Sequence, residues 1–501
     1  MTAFSGQVAD RSGSPGLAWW PRLGAAARLL RLELRRSAML WMMPVVGGLF
    51  YYSAFRQSMA QPAMWNLRAM TMQHGALLDF APPVVGAAAW MGSREGRRQL
   101  ADLIGTVPAP RWTAQLATWA AVTCWALVAY CCCVGALYVA IARQATWGGP
   151  LWWPAIVGAV GVPALSAVGF AVGAWLPSRF TVPIVTVGVF FALGFSAQPR
   201  SPQWQVSPTI AGSPYIGPDP GIGTFYHYLP DLSIAQVICL TGVALAALGA
   251  LGLRGDASSQ RMRSIAAGLT AGGLAAVFVS AGLAGTARLD PHGLLAIPAL
   301  HDAANDRPIQ YTPVCDRAAV PICLNPAYAA YLPEVRHALR PMLAEIAGLP
   351  GAPASIGQGA PFYQGPLTPG FLQSGTGVLV NKGSSGDGSR RFELVLPGQL
   401  PGEPGTGMSI GQFTSQIRQA VATDLIGNLV GQTRDGETQA QQAVVAALAF
   451  DAGVARVPRP SLAVGAATSR FAALPAAVRH AWLTAHLAAL RAGRITLAEL
   501  P

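Results

Sequence analysis

The chain has 501 residues, of which 52% are hydrophobic and only 11% are charged. Ordinary soluble proteins carry roughly 25% charged residues, so this composition excludes a protein that is surrounded by water along its whole length. The formal net charge of +12 lies mostly in short loops between apolar segments, not in a basic patch with interleaved aromatic residues. It therefore indicates a membrane surface and no nucleic-acid partner.

Seven segments are apolar for long enough to span a membrane. A hydrocarbon core about 30 Å thick needs about 20 mostly apolar residues in a helix. The segments lie at about 38–55, 71–91, 114–142, 152–176, 180–197, 232–253 and 264–286. The first segment ends without a small-residue cleavage site, so it predicts a retained anchor, with no soluble domain before it, and not a signal peptide.

Arginine is distributed unequally between the two sides of these segments, and positively charged loops stay in the cytoplasm. With the N-terminus inside, the cytoplasmic side receives Arg22, Arg28, Arg31, Arg35, Arg36, Arg94, Arg97, Arg98, Arg111, Arg179, Arg254, Arg261 and Arg263. The other side receives only Arg56, Arg68, Arg143 and Arg200. An odd number of spans then places everything after about residue 287 outside the cytoplasm. Because Lys382 is the only lysine, the composition is typical of a GC-rich genome, and we expect the cytoplasmic membrane of a bacterium.

The cysteines support this orientation. Five of them lie inside predicted membrane helices, where a thiol behaves as a small apolar group: Cys124, Cys131, Cys132, Cys133 and Cys239. Only Cys315 and Cys323 lie in the polar part of the chain, at a spacing that a small disulfide loop allows outside the cytoplasm. Two free thiols, or a metal site completed elsewhere, are the alternatives.

The stretch GSREGRRQLADLIGTVPAPRW, residues 92–112, joins the second and third predicted spans. The part from Arg94 to Gly105 can form a short helix in which Leu100, Leu103 and Ile104 share an apolar face. Pro108 and Pro110 would end it, because proline cannot continue a helix. A simpler interpretation is a charged loop near lipid headgroups, which explains the arginines but not the whole arrangement.

The arrangement resembles the first cytoplasmic loop in permease subunits of type 2 ATP-binding-cassette transporters. In that family a Glu with basic residues, a Leu-rich amphipathic helix and a Thr-x-Pro-x-x-Arg-like turn recur between the second and third helices. The residues in this ATPase-coupling loop are Arg94, Glu95, Arg97, Arg98, Leu100, Leu103, Thr106, Pro108 and Arg111. The chain departs from the family where a bulky and an acidic residue often follow a Gly-Arg-Glu start, since it reads Ser93, Arg94, Glu95, Gly96.

Two further segments fit the same family. The segment RLGAAARLLRLELRRSAMLWM alternates leucines with arginines and can lie in the membrane interface before the first span, as a connecting helix does in family members. A basic stop before a membrane anchor is the alternative. The segment at about 198–231 would correspond to the family's partly inserted extracellular hairpin, and its aromatic residues suit the headgroup region: Trp204, Tyr215, Phe225, Tyr226 and Tyr228. The resemblance covers residues 20–255, including the tight turn LPSRF.

The resemblance implies an exporter subunit that binds no cofactor itself. The chain contains no G-x-x-x-x-G-K-[ST] motif, so ATP would be hydrolysed by a separate ATP-binding-cassette ATPase subunit that docks on the coupling loop. Two permease chains, identical or different, would pair to form the path within the lipid bilayer. The substrate class stays open.

Asp79 is the most costly residue within a predicted span, because a carboxylate in the hydrocarbon region needs a partner or water. His74 lies about one and a half turns before it. These two side chains are candidates for polar residues along the membrane path or at the interface between two permease chains. The alternative is that the span begins later and both groups lie among wet headgroups.

We expect four regions: a cytoplasmic N-terminus with an amphipathic connecting helix at 1–37, a six-helix permease domain at 38–255, a seventh transmembrane helix at 256–287, and a soluble α+β extracytoplasmic domain at 288–501. Within the last region, YAAYLPEVRHALRPMLAEIAGL has helical spacing, TGVLVN and RFELVLP are typical of strands, and helices are predicted at about 409–430, 436–451 and 471–491. The overall prediction is a polytopic α-helical membrane protein with about seven transmembrane helices followed by this domain.

The external region shows no catalytic site. Its order of elements is similar to zinc metallopeptidase-like domains, but Thr423, Asp424 and Gly427 stand where such a domain has its H-E-x-x-H residues. The other candidates lack ligand spacing or a nucleophile elbow; they are His292, His301, His337, His480, His486, Ser355, Ser384 and Ser385. Asp302 and Asp306 near His301 could hold a cation, although a polar stretch beside the membrane is the simpler interpretation. A membrane-anchored enzyme and a ligand-binding sensor are therefore the alternative functions.

Overall fold

The computed structural model describes residues 20–97, 111–196, 206–211, 224–254, 260–289, 295–359, 391–396, 400–401, 408–430, 438–454 and 461–501. The first part of the chain is helical. Its helices are α1 (Trp20–Arg36), α2 (Ala38–Ala60), α3 (Trp65–Gly92), α4 (Arg94–Arg97), α5 (Arg111–Ala142), α6 (Trp152–Trp175), α7 (Thr181–Ser196), α8 (Asp231–Arg254) and α9 (Gln260–Gly285).

Five of the described helices are long and apolar enough to cross a membrane, namely α2, α5, α6, α8 and α9. This mostly helical fold with several membrane-length helices agrees with the prediction of a helical membrane protein. The second and fifth predicted spans, which correspond to α3 and α7, are not among those five. Helix α3 has 28 residues but includes Arg68, Gln73, His74 and Asp79, which lower its hydropathy, and α7 has only 16 residues. The count of seven spans therefore stays a prediction.

The long helices alternate in direction, so that the chain runs repeatedly between two ends of one bundle. Helix α3 is antiparallel to α5, because Trp65 lies against Tyr138 with ring centroids 5.5 Å apart, whereas Phe80 lies against Tyr130 at 5.7 Å. Helices α3 and α6 run in the same direction. Residues Leu77, Val85 and Ala89 of α3 face, in that order, residues Gly161, Gly169 and Gly173 of α6.

Helix α3 occupies the centre of the bundle, in contact with α2, α5, α6 and α7. Helices α3 and α6 approach each other closely because glycine has no side chain. A Cβ atom at Gly173 of α6 would overlap the carbonyl oxygen of Ala89 in α3. Gly242 and Gly273 allow the same close contact between α8 and α9. Small residues thus bring helix backbones together where large apolar side chains would hold them apart.

The chain after α9 forms a small sheet covered by helices. Strands β1 (Arg288–Leu289) and β2 (Leu295–Ala296) form an antiparallel pair. A second sheet has the order β3 (Val314–Cys315), β4 (Ile322–Leu324), β5 (Ser355–Gln358), β6 (Arg391–Leu394), with an antiparallel β3–β4 pair and parallel pairs after it. The helices are α10 (Leu332–Ile346), α11 (Ile410–Val421), α12 (Gly427–Val430), α13 (Gln439–Asp451), α14 (Leu462–Ala473) and α15 (Ala476–Arg491).

A disulfide joins Cys315 and Cys323, which confirms that pairing. The two cysteines face each other across the β3–β4 pair. The carboxylate of Asp316 closes the turn between them, because it accepts hydrogen bonds from the backbone amides of Ala318 and Ile322 at 3.4 and 2.9 Å.

The helix predicted at about 471–491 corresponds to α15, Ala476–Arg491, but its predicted start is wrong. The sequence prediction missed α14, Leu462–Ala473, which is separated from α15 by Leu474 and Pro475. Proline lacks the amide hydrogen that would continue α14, and it disfavours helical geometry in the residue before it. The predicted helix at 409–430 contains a π-helical turn at Ala422–Ile426. The segment TGVLVN lies outside the described residues.

The second part of the chain packs directly on one end of the bundle. The ring of Tyr311 lies 6.2 Å from that of Trp147 and 5.7 Å from that of Phe225. Met64 and Leu67, at the start of α3, belong to the same buried apolar cluster as the helices that follow the sheet. The two parts therefore share a continuous apolar core and pack against each other directly.

Candidate functional site

The described part of the predicted coupling loop lies at the end of the bundle opposite to Tyr311. Arg94, Glu95 and Arg97 form the single turn α4, directly after α3, and Arg111 is the first residue of α5. The remaining predicted loop residues lie outside the described residues: Arg98, Leu100, Leu103, Thr106 and Pro108.

An ion pair joins the two ends of the loop. The Nε atom of Arg111 donates to Oε2 of Glu95 at 3.1 Å. The two side chains are 39% and 21% exposed, so the pair contributes at most about 1 kcal/mol to stability. Its effect is geometric, because it holds the start and the end of the 98–110 segment close together.

A second ion pair attaches the loop to α1, the predicted connecting helix. Arg94 donates to Oε1 of Glu33 at 2.9 Å, and the Glu33 side chain is only 10% exposed. Glu33 is the only acidic residue of α1. Sequence reasoning did not single it out, although one acidic residue in a helix of leucines and arginines was the available signal.

The other side of α4 lies against the bundle. The guanidinium of Arg97 stacks on the Trp90 ring, 3.7 Å from its centroid, and donates to the Trp90 carbonyl oxygen at 3.1 Å. Gly96 lies against Pro177, in the turn between α6 and α7, where a Cβ atom would meet the proline ring at 2.5 Å. The short turn α4 is thus held between α1 and the α6–α7 turn.

Two tryptophans connect the same region to the rest of the bundle. Trp125 of α5 donates to the carbonyl oxygen of Leu34 at 2.9 Å and thereby holds α1 against α5. Trp112, one residue after Arg111, donates to the carbonyl oxygen of Leu248 in α8 at 3.1 Å. A displacement of the loop would therefore act on α1, α3, α5 and α8 together.

This end of the bundle is strongly basic. The described arginines here are Arg28, Arg31, Arg35, Arg36, Arg94, Arg97, Arg111, Arg179, Arg254, Arg261 and Arg263. The opposite end of the bundle has Arg56, Arg68 and Arg143. Arg68 is buried there and bonded to the carbonyl oxygens of Met59 and Gln61 and to the side chain of Gln144.

The structure places the predicted path residues on α3 but does not bring them together by a hydrogen bond. His74 is exposed, and its Nδ1 atom lies 3.2 Å from the carbonyl oxygen of Thr209. Asp79 is half-buried at the middle of α3, and no hydrogen bond or ion pair joins its carboxylate to another described residue. Because α3 begins at Trp65, both residues lie well inside the helix.

Sequence reasoning missed a buried polar network beside these residues. The Gln73 side chain donates to the carbonyl oxygens of Pro208 and Ile210 at 2.9 and 3.0 Å. The Gln236 side chain of α8 donates to those of Ser207 and Ile210 at 2.6 and 2.8 Å. Two glutamines therefore fasten segment 206–211 between α3 and α8. A glutamine on a predicted span was the available signal.

The part of the chain after α9 offers no metal centre among its described residues. Thr423 and Asp424 lie in the π-helical turn, and Gly427 begins α12. No group of three His, Cys, Asp or Glu residues with metal-binding geometry occurs in the described ranges. His480 and His486 lie near the backbone carbonyl oxygens of Ala347 and Trp482.

Comparison of the chain with known protein families, with characterised proteins and with solved structures finds no match.

Proposed function

We propose that this chain is the membrane-spanning permease subunit of an ATP-binding-cassette transporter, which exports a substrate with energy from a separate ATPase subunit. The observation that carries the proposal is the double attachment of the 94–111 loop. One ion pair, Glu95 with Arg111, closes the loop, and another, Glu33 with Arg94, fastens it to the connecting helix. A loop that transmits movement from a docked partner must be joined firmly to the elements that move.

The distribution of charge supports a cytoplasmic position for this loop. The basic end of the bundle is the end that carries α4, and positively charged ends remain on the cytoplasmic side. The external α+β domain, which begins after α9, packs on the opposite end through Tyr311. The proposed orientation thus places the loop where ATP is available and the disulfide where oxidation is permitted.

Seven membrane spans are part of the proposal. Helix α3 is covered by α2, α5, α6 and α7, and Arg68 and Gln73 are buried away from lipid. Helix α7 is shorter but apolar throughout, and it exposes large side chains such as Ile184, Phe191 and Phe195. Lipid or a second permease chain would cover these side chains. Segment 206–211, fastened by Gln73 and Gln236, would form part of the external hairpin near the exit of the path.

Affinity purification from native membranes tests the assembly. The tagged chain is purified in mild detergent, and copurifying proteins are identified by mass spectrometry, together with an ATPase assay. We expect a P-loop ATPase with the natural chain, much less with Glu95→Lys, and recovery with the charge-exchanged double variant Glu95→Arg/Arg111→Glu. The control is Arg143→Glu, at the opposite end of the bundle. Absence of an ATPase, under conditions that preserve a known transporter complex, would contradict the proposal.

A further inference from the structure

His301 lies where the chain passes from the bundle into the external domain, and it bridges two carboxylates. Its Nδ1 atom is 3.3 Å from Oδ2 of Asp231, the first residue of α8. Its Nε2 atom is 3.0 Å from Oδ1 of Asp306, in the short 3-10 helix Ala303–Asp306. The Asp231 side chain is fully buried, whereas that of Asp306 is 44% exposed.

This geometry selects one protonation state of the imidazole. An ionised carboxylate accepts hydrogen bonds but donates none, and a neutral imidazole carries a single N–H. Only the imidazolium carries an N–H on both ring nitrogens. His301 can therefore donate to Asp231 and Asp306 at the same time only when it is protonated.

Asp231 needs that positive charge. Its Oδ2 atom also accepts a hydrogen bond from the amide of Ile297 at 2.9 Å. Its Oδ1 atom is buried and has no hydrogen-bond partner among the described residues. Its position at the N-terminus of α8 gives some compensation through the helix dipole. Loss of the imidazolium charge would still leave this buried carboxylate without a positive partner, which is costly.

Among the described residues, the rest of the surroundings of this group is mainly apolar. Asp302 accepts a hydrogen bond from the amide of Ala304 as the cap of the 3-10 helix, and Arg288 of β1 is exposed. Segment 206–211 contributes no titratable side chain. The nearby cluster contains Ile210, Leu232, Ala235, Ala287, Leu295 and Ile297. Asp231 and Asp306 are the carboxylates that act on His301.

We propose that His301 is a pH-sensitive clamp that, as the imidazolium, fastens residues 295–306 of the external domain to the N-terminus of α8. Because Ile297 and Ile210 lie in one apolar cluster, the clamp also stabilises segment 206–211 between α3 and α8. Deprotonation of His301 removes one of its two hydrogen bonds and the charge that Asp231 needs. Residues 295–306 then open more often. This inference stands apart from the proposed transport function.

The direction of the pH effect follows from the surroundings of His301. Burial alone lowers the pKa of this histidine, but the hydrogen bonds and charges of Asp306 and Asp231 outweigh burial and raise the pKa above its usual value of 6.5. A group with a raised pKa in the folded state contributes its full stability below the ordinary value. The clamp is therefore closed in mildly acidic solution and opens as the pH rises through the raised pKa.

Hydrogen exchange of the full-length protein in lipid nanodiscs tests the clamp. Exchange of peptides from 295–306 is measured at about pH 5.5 and about pH 8.5, on either side of histidine titration, after correction for the chemical rate at each pH. We expect several-fold faster corrected exchange at the higher pH in the natural chain. His301→Gln should exchange fast at both values, and Asp306→Asn, at the exposed edge, should reduce the difference. His337→Gln, which replaces an exposed histidine of α10, is the control and should keep the full difference in exchange between the two pH values.

Two results would overturn the inference. One is equal corrected exchange of residues 295–306 at both pH values in the natural chain, which needs no variant and so does not depend on the folding of one. The other is a pH response in His301→Gln as large as that of the natural chain.

Discussion

The carboxylate of Glu33 lies 2.9 Å from the guanidinium of Arg94, a residue 61 positions later in the chain. The pair joins the helix before the first span to the turn after the second predicted span. The two residues are far apart in the sequence, so their contact forms only when α1, α3 and α5 have packed together. It makes α1 part of the same assembly as the proposed coupling loop.

Reversal of the Glu33 charge should weaken this attachment. Glu33→Arg places a second cation against Arg94 and leaves its guanidinium without a partner, which should lower stability by about 1–3 kcal/mol. The exchanged pair Glu33→Arg/Arg94→Glu should recover most of the loss. Thermal unfolding in detergent measures the effect, and Arg35→Gln, an exposed arginine of α1, serves as the control. Equal stability of the single and double variants would show that the pair does not fasten the loop.

The contact between α3 and α6 predicts a contrast between two glycines. A Cβ atom at Gly173 would overlap the Ala89 carbonyl oxygen, whereas no atom lies within 4 Å of a Cβ at Gly188 in α7. Gly173→Ala should therefore lower stability by about 1–3 kcal/mol through overpacking. Gly188→Ala should be neutral or stabilising by up to about 1 kcal/mol, the difference in helix propensity. Thermal unfolding of the membrane-embedded protein measures both variants. A lower stability of Gly188→Ala than of Gly173→Ala would refute the packing of α3 on α6.

Arg479 holds together helices of the domain that follows α9. It is 5% exposed and pairs with Glu345 of α10 at 3.1 Å and with Asp451 of α13 at 2.5 Å. Its guanidinium also donates to the carbonyl oxygens of Ala472 and Leu474.

Replacement of Arg479 by Met should leave two largely buried carboxylates unpaired and lower stability by about 3–5 kcal/mol. Limited proteolysis of the full-length protein should then cleave between α13 and α15. Arg336→Met, which removes a half-exposed arginine 3.6 Å from Asp316, should change stability by no more than about 0.5 kcal/mol. Similar proteolysis of the two variants would contradict the central role of Arg479.

The disulfide predicts a redox dependence that is confined to the domain after α9, which we propose lies outside the cytoplasm. The bond joins two cysteines that lie eight positions apart, Cys315 and Cys323, and its removal should lower stability by about 2–3 kcal/mol. In intact cells, a membrane-impermeant maleimide should label these two cysteines only after reduction. The double variant Cys315→Ser/Cys323→Ser removes that labelling. Labelling without reductant would contradict a disulfide in the mature protein.

Much of the bundle could be predicted from apolar segments alone, because a helix in lipid needs a continuous run of apolar residues. The segment predicted at 114–142 agrees closely with α5, Arg111–Ala142. The second predicted span starts at 71, yet α3 begins at Trp65. Hydropathy excludes Arg68 from a span, whereas in the folded protein its guanidinium donates to the carbonyl oxygens of Met59, at the end of α2, and Gln61.

The candidate site could be predicted only in part. The motif predicts Glu95 and Arg111 as loop residues, but their ion pair depends on how the end of α3 lies next to the start of α5. Asp231 and His301 lie 70 positions apart, so no local pattern connects them. Pairings of this kind depend on tertiary packing, which the spacing of residues along one element does not reveal.

Photo-crosslinking in native cells tests the docking of an ATPase most directly. A photoreactive amino acid replaces Arg97, in the proposed docking loop, or Arg143, at the opposite end of the bundle. Crosslinked products are purified through a tag on this chain and identified by mass spectrometry. The account predicts a P-loop ATPase attached from position 97 and none from position 143. No ATPase from position 97, or an ATPase captured from position 143, would contradict it.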